Sequence, residues 1–293
     1  MAIRRKKRIC IFSHYYSEDY IPFYVQLYLN ELTRYFDEIL VVTNERRLWN
    51  RAEVISGNIS LLKVKNEGYD LGMFYKGFQQ INADDYDQIA CLNDSNIIFG
   101  SLKSVFDWSN DQKVDFWGLA DSRRRPKYCT QAGNYHVQSH FIVFNRAAID
   151  CLPAFFNQIN FPELIREKDI SLLKQKVIDI WEIGVTQFLI SRGLTCKTYF
   201  SYRNFQQFSS ARKPVNISTK RYAQTIRQGV PVIKKRIITS TEFRHMFSVK
   251  GNWKRLIRKY GDINWNLEKL IAELAHLRRK QLAIKFLNFL KRR

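Results

Sequence analysis

Four short stretches of the sequence carry side chains whose types and spacing could do chemistry. The first is Lys65-Asn-Glu-Gly-Tyr-Asp-Leu-Gly72. Gly68 permits a tight turn, and the amides at a helix start can meet a phosphate or a sugar hydroxyl. Asp70 would accept a hydrogen bond from a ribose or base, or else serve as an ordinary N-cap. The GxGxxG spacing of a dinucleotide fingerprint is absent. The second is Cys91-Leu-Asn-Asp-Ser-Asn96. A carboxylate just beyond a buried strand is placed to hold a divalent metal, magnesium or manganese, that bridges a diphosphate. Magnesium uses only one or two protein carboxylates together with phosphate oxygens. Asp94 is the candidate ligand, with Asn93 and Ser95 as weaker oxygen donors; the same residues also spell a polar turn.

The third stretch is Tyr135-His-Val-Gln-Ser-His-Phe-Ile-Val-Phe144. Period-two alternation puts His136, Gln138 and His140 on one face of a strand. Histidines at i and i+4 of a strand lie too far apart to chelate one ion, so substrate binding is expected here, with His136 at most an additional metal ligand. A structural histidine is the plain alternative. The fourth is Ile180-Trp-Glu-Ile-Gly-Val-Thr-Gln187. Glu182 sits between Trp181 and Ile183 on an otherwise apolar helix, and Gly184 leaves room for a ligand. A half-buried carboxylate there can act as a general base; a solvent-facing Glu fits the spacing as well.

These residues need a frame. Apolar runs at Arg8–Ser13, Asp37–Thr43, Ile59–Val64, Asp87–Leu92 and Asp115–Ala120 predict buried strands, separated by helices at Tyr20–Tyr35 and Leu71–Ile81. Continuous rather than alternating apolar strands predict an α/β domain with a mostly parallel sheet covered on both faces. Ligands of such sheets bind beyond the strands' carboxyl ends, where Asp70 and Asp94 fall. Further on, Val137–Phe144 is strand-like, and Ile149–Phe156 and Asp179–Ser191 are helical. Residues 205–250 read as a basic arm or linker, and 251–293 as an amphipathic basic helical region.

The 48 Lys and Arg against 27 Asp and Glu give a net charge of +21. Residues 4–8, residues 203–236 and residues 250–293 together exceed that total, so the rest of the chain is slightly negative. Basic flanks seek phosphate, on lipid headgroups or nucleotides. The tail helix, with Arg278, Arg279, Lys280 and Lys285 beside Leu282 and Phe286, suits an anionic membrane surface or packing on its own domain. A nucleic-acid binder is the rival class, but no RNP, KH or zinc-finger pattern occurs; a non-catalytic scaffold is another. Five scattered cysteines, odd in number and without a CxxC pair, point to reduced thiols in a cytosol. Only Ile9-Cys-Ile-Phe12 follows the basic start, so no signal peptide is expected. No run of about 18 apolar residues predicts a membrane span.

In their order and spacing, these segments resemble the rhamnan synthesis protein F family of bacterial polysaccharide glycosyltransferases. The resemblance rests on Cys10-Ile-Phe-Ser-His-Tyr15, Tyr28-Leu-Asn-Glu-Leu32, Ile39-Leu-Val-Val-Thr-Asn44, Asn66-Glu-Gly-Tyr-Asp70, Leu92-Asn-Asp-Ser95, His136-Val-Gln-Ser-His-Phe141 and Trp181-Glu-Ile-Gly184, over roughly residues 8–204. It implies a GT-A-like, single Rossmann-type domain that takes a nucleotide-sugar donor and a glycan or lipid-linked glycan acceptor at the inner face of a membrane. By the same resemblance Asn66, Gly68, Asp70, Asn93 and Ser95 meet the donor. Asp94 stands where such enzymes keep a metal-binding acid, and Glu182 is the acid that deprotonates the acceptor. One departure is visible: Asn93-Asp-Ser95 offers one carboxylate where DxD enzymes offer two.

Overall fold

Apolar runs that are continuous rather than alternating become the central strands, because both faces of each strand are covered. The structure is a computed structural model that describes residues 6–15, 21–44, 57–206, 216–239 and 252–290. In it β1 (Arg8–His14), β2 (Glu38–Thr43), β3 (Ile59–Lys63) and β4 (Gln88–Asn93) pair in parallel in the order β3-β2-β1-β4. The short β5 (Asn96–Ile98) follows β4 directly. Then come β6 (Phe116–Ser122), β7 (His136–Val137), β8 (Phe141–Asn145) and β9 (Cys196–Phe200). Strand β8 lies antiparallel between β4 and β6, β7 pairs antiparallel with the end of β6, and β9 runs parallel to β6. This is the expected α/β arrangement with a mostly parallel sheet, and its antiparallel β8 was not read from the sequence.

Successive residues of β1 enter opposite cores. Cys10 and Phe12 join one with α1 (Phe23–Leu32); Ile9 and Ile11 join the other with α2 (Tyr69–Phe78) and the helices after residue 146. Helix α2 lies so close to the sheet that a Cβ on Gly77 would stand 2.7 Å from Ile11 and 2.8 Å from Val42. Helix α3 (Lys103–Asn110) lays Phe106 flat against Tyr35 and edge-on to Trp117.

The expected exposed arm is corrected over its described residues. Ile217, Tyr222, Ile226, Ile233 and Ile238 are buried in the α1 core, and β10 (Val232–Lys234) pairs antiparallel with β5. Its charges had masked single apolar residues at helical spacing. The stretches 207–215 and 240–251 lie outside the described residues, as do residues 1–5 with Arg4 and Arg5, the basic residues 291–293 and the expected helix start at Tyr20. Helix Leu267–Leu290 buries Leu270, Ile271 and Leu274 in the same core. Its Glu273 accepts the backbone N–H groups of Phe23 and Tyr24 at 2.7 and 3.1 Å, satisfying the open start of α1. Farther along, Ile284, Phe286 and Leu287 are exposed. Among the described residues no helix is long and apolar enough to cross a membrane.

Candidate active site

The parallel register builds the site. It sets Ser13 of β1 beside Asn93 of β4, and both reach Asp70. Ser13 Oγ donates to Asp70 Oδ1 at 3.2 Å, and Asn93 Nδ2 donates to Asp70 Oδ2 at 2.7 Å. Asp70 is therefore not the N-cap. Gly68 holds that position in a left-handed conformation, φ +73°, which glycine adopts without strain. Asn66 stays exposed on the same turn. Burial, reinforced by the charge of Asp94, pushes the Asp70 carboxyl up to about 6.

Asp94 sits one residue beyond β4 and is mostly buried. Its Oδ2 accepts from Lys235 Nζ at 2.7 Å and from the Tyr24 hydroxyl at 3.2 Å. Lys234, the last residue of β10, donates to Ser95 Oγ at 3.2 Å. Burial pushes the Lys234 ammonium down to about 7, while Glu182 and Asp70 act against that shift. Asp70 in turn feels Asp94, Lys234 and Glu182. Asp70, Asp94 and Glu182, far apart in sequence, thus share one electrostatic cluster at the carboxyl ends of β1 and β4.

Glu182 arrives through a helix whose pitch changes. Helix Ile170–Val177 runs into a π-helical segment, Ile178–Gly184, and then helix Val185–Ser191. Trp181, wholly buried, stacks on Phe156 and fixes the segment. Asp179 is buried and faces the 122–135 loop, where it accepts from Thr130 N and Oγ1 at 3.0 and 2.6 Å. Glu182 turns inward: Ser139 Oγ donates to its Oε1 at 3.2 Å, and His136 Nε2 lies 3.9 Å from its Oε2. The side chain of Glu182 remains 34% exposed, open to solvent.

The reading of residues 136–140 as one strand face is corrected. The strand breaks after Val137, because Gln138 N donates to Ala120 O and Phe141 N donates back to Gln138 O, which closes a turn. Only His136 keeps a place beside Glu182. His140 is buried, its Nδ1 2.6 Å from Asn96 Nδ2 and its Nε2 3.0 Å from Gln138 Oε1. The amide must donate to Nδ1, so Nε2 carries the proton, and the ring is the neutral tautomer that burial demands. Gln138 also accepts from Ser218 Oγ and donates to Asp121 O. Gln138 and His140 therefore tie residues 216–220 to the sheet and are engaged with the protein itself.

A divalent-metal centre does not fit these residues. The one carboxylate proposed to hold it is engaged by an ammonium and a phenol. Sequence reasoning missed Lys234, Lys235, Ser13 and Tyr24. The signal for the lysines was their position just after Val230-Pro-Val-Ile233, a short apolar run inside the basic stretch.

The buried histidines give a pH prediction. Burial pushes His14 down to about 4 and His140 well below its ordinary value, with Asp94 opposing and Lys235 adding to the shift of His14. Both folded-state values lie below the unfolded one, so their contribution is complete above about pH 6.5 and is lost as pH falls. Asp70, raised to about 6, works in the opposite sense between roughly pH 6 and 4. Burial raises the Asp121 and Glu273 carboxyls as well, and these act in the same sense as Asp70, so the share of one histidine is read from a variant. Between pH 6.5 and 4.5 the thermal midpoint of His140→Gln is expected to lose less, or gain more, than that of the parent; equal slopes would exclude His140 as a cause.

A cavity of about 610 Å³ lies elsewhere, on the outer side of the π-helical segment, lined among others by Thr130, Gln131, Asp179, Gly184 and Gln187. None of the clustered side chains lines it.

The model of the family described as rhamnan synthesis protein F matches residues 39–250. The chain belongs to that family. The rhamnan synthesis F match takes in β2 through β10, and with them Asp70, Asp94, Glu182 and both lysines. No curated protein matches. Among solved structures, one is named a nucleotide-diphospho-sugar transferase from Desulfovibrio desulfuricans, 14% identical with TM-score 0.42, covering 87% of this chain and 98% of that one. Another is the glycosyltransferase GlyE of Streptococcus pneumoniae, 14% identical with TM-score 0.37, covering 87% and 63%. A third, 4-diphosphocytidyl-2C-methyl-D-erythritol synthase from Anaerococcus prevotii, is 12% identical with TM-score 0.43, covering 67% and 89%.

Proposed function

We propose that this member of the rhamnan synthesis F family is a glycosyltransferase of the hexosyl-transferring kind. It moves rhamnose or a related sugar from a nucleoside-diphosphate donor to a growing bacterial surface polysaccharide carried on a lipid. Family membership supports a glycosyltransferase-type function. The observation that carries the finer reading is the meeting of Asp70, Asp94, Glu182, Lys234 and Lys235 at the carboxyl ends of β1 and β4. Asp70, on the turn opened by Asn66 and Gly68, accepts hydrogen bonds from the donor's nucleoside. Glu182, steadied by Ser139 and His136, takes the proton of the acceptor hydroxyl as that oxygen attacks the anomeric carbon. The test is release of nucleoside diphosphate from a panel of nucleotide-sugars with lipid-linked glycan. Acceptor-dependent release from one donor is expected; no release from any donor would favour a non-catalytic scaffold.

The same reading places the protein on the cytoplasmic face of a membrane. Its five cysteines are free thiols, and Ile284, Phe286 and Leu287 are exposed beside Arg278, Arg279, Lys280 and Lys285. Apolar side chains flanked by cations suit an anionic headgroup layer. The full chain is expected to sediment with phosphatidylglycerol vesicles, and a Phe286→Ser, Leu287→Ser variant to stay in solution. Equal sedimentation of both removes the membrane role.

A further inference from the structure

The carboxylate that the sequence marks for a metal is already occupied by a cation of the protein itself. Lys235 Nζ lies 2.7 Å from Asp94 Oδ2, and Tyr24, bound to the same oxygen, stands with its ring centroid 5.5 Å from that ammonium. Lys234, one residue earlier, reaches Ser95 Oγ instead, and its nearest opposite charges are Glu182 and Asp70. The two lysines follow each other where β10 passes into helix Lys235–Thr239. From there their ammonium groups flank the Asp94-Ser95 turn, one held by each residue of it. Two lysine side chains at one turn bring ammonium groups to the place where a divalent ion would sit, and an arriving diphosphate favours the protonated form of Lys234.

We infer that Lys234 and Lys235 together replace a divalent metal in this site, binding the diphosphate of the donor and neutralising it as it leaves. The inference rests on the glycosyltransferase reading above. As the acceptor oxygen bonds to the anomeric carbon, the bond from that carbon to the phosphate oxygen breaks. Its electron pair goes to the diphosphate, and the acceptor's proton goes to Glu182. The leaving diphosphate gains one negative charge, which fixed ammonium groups in a partly desolvated site stabilise without rearrangement. Asp94 then positions Lys235 rather than ligating an ion, and Ser95 positions Lys234.

The test is calorimetry of UDP, dTDP and dTMP binding to the full-length protein, in EDTA and then in manganese. The expected result is diphosphate binding of the same affinity in both media. Lys234→Met and Lys235→Met are each expected to weaken diphosphate binding about tenfold to hundredfold, the scale of a lost charge-assisted hydrogen bond. The preference for dTDP over dTMP should shrink with it, which a merely structural role would not produce. Lys235→Met leaves Asp94 buried without its cation, so the paired variant Asp94→Asn, Lys235→Met is included; it removes both charges and is expected to fold but to bind diphosphate as weakly. Binding that requires manganese, or lysine variants that bind as the parent does, overturns the inference and leaves the glycosyltransferase reading standing. Absence of nucleotide binding in both media removes both.

Discussion

Glu182→Gln is expected to lower the rate of sugar transfer by about 10²- to 10⁴-fold, the usual contribution of a positioned general base. The amide preserves the shape of the side chain and can still accept from Ser139 Oγ, now 3.2 Å from Oε1. Trp181, packed on Phe156 and Phe155, holds the π-helical segment regardless of charge at 182. The fold and the donor affinity should therefore survive, and the loss should fall on kcat with KM for the donor nearly unchanged. An amide cannot take the acceptor's proton. Turnover near that of the parent would remove Glu182 from the mechanism, and loss of donor binding together with turnover would make it a structural residue.

Gly72→Ala is expected to destabilise the protein by about 2–4 kcal/mol and to abolish nucleotide binding. A Cβ at Gly72 would lie 1.7 Å from the carbonyl oxygen of Glu67, which is backbone and has no rotamer into which it can retreat. The turn would have to open. It is the turn that carries Gly68 in its left-handed conformation and aims Asp70 at Asn93 and Ser13. Gly57→Ala is the control, because nothing stands within 4 Å of a Cβ there. Denaturant midpoints of the two variants should separate widely; equal midpoints would show that the turn tolerates opening.

Much of the frame was legible because burial on both faces leaves an unbroken apolar run. Ile9 to Phe12, Ile39 to Val42 and Ile89 to Leu92 all mark parallel strands, and Asp94 lies just past the last of them. Two features were not legible. A π-helical segment has no periodic signature of its own, so the sequence could not tell whether Glu182 or Asp179 would face the sheet. The alternation of His136, Gln138 and His140 imitates a strand, but the chain turns there because Gly118 lets Val137 and Phe141 close over it; a Cβ on Gly118 would meet Val137 at 2.2 Å. The lysines were hidden by company. In a stretch of nine basic residues and no acid, only pairing with β5 distinguishes Lys234 and Lys235 from the solvated rest.

Where the donor binds decides whether this cluster is the catalytic site. A crystal structure of the protein soaked with a non-hydrolysable nucleoside-diphosphate sugar would locate the diphosphate. It is predicted to lie against Lys234 and Lys235, with the anomeric carbon turned toward Glu182 and the nucleoside beside Asp70. A donor found instead in the 610 Å³ cavity beside Asp179 and Gln187 would contradict it.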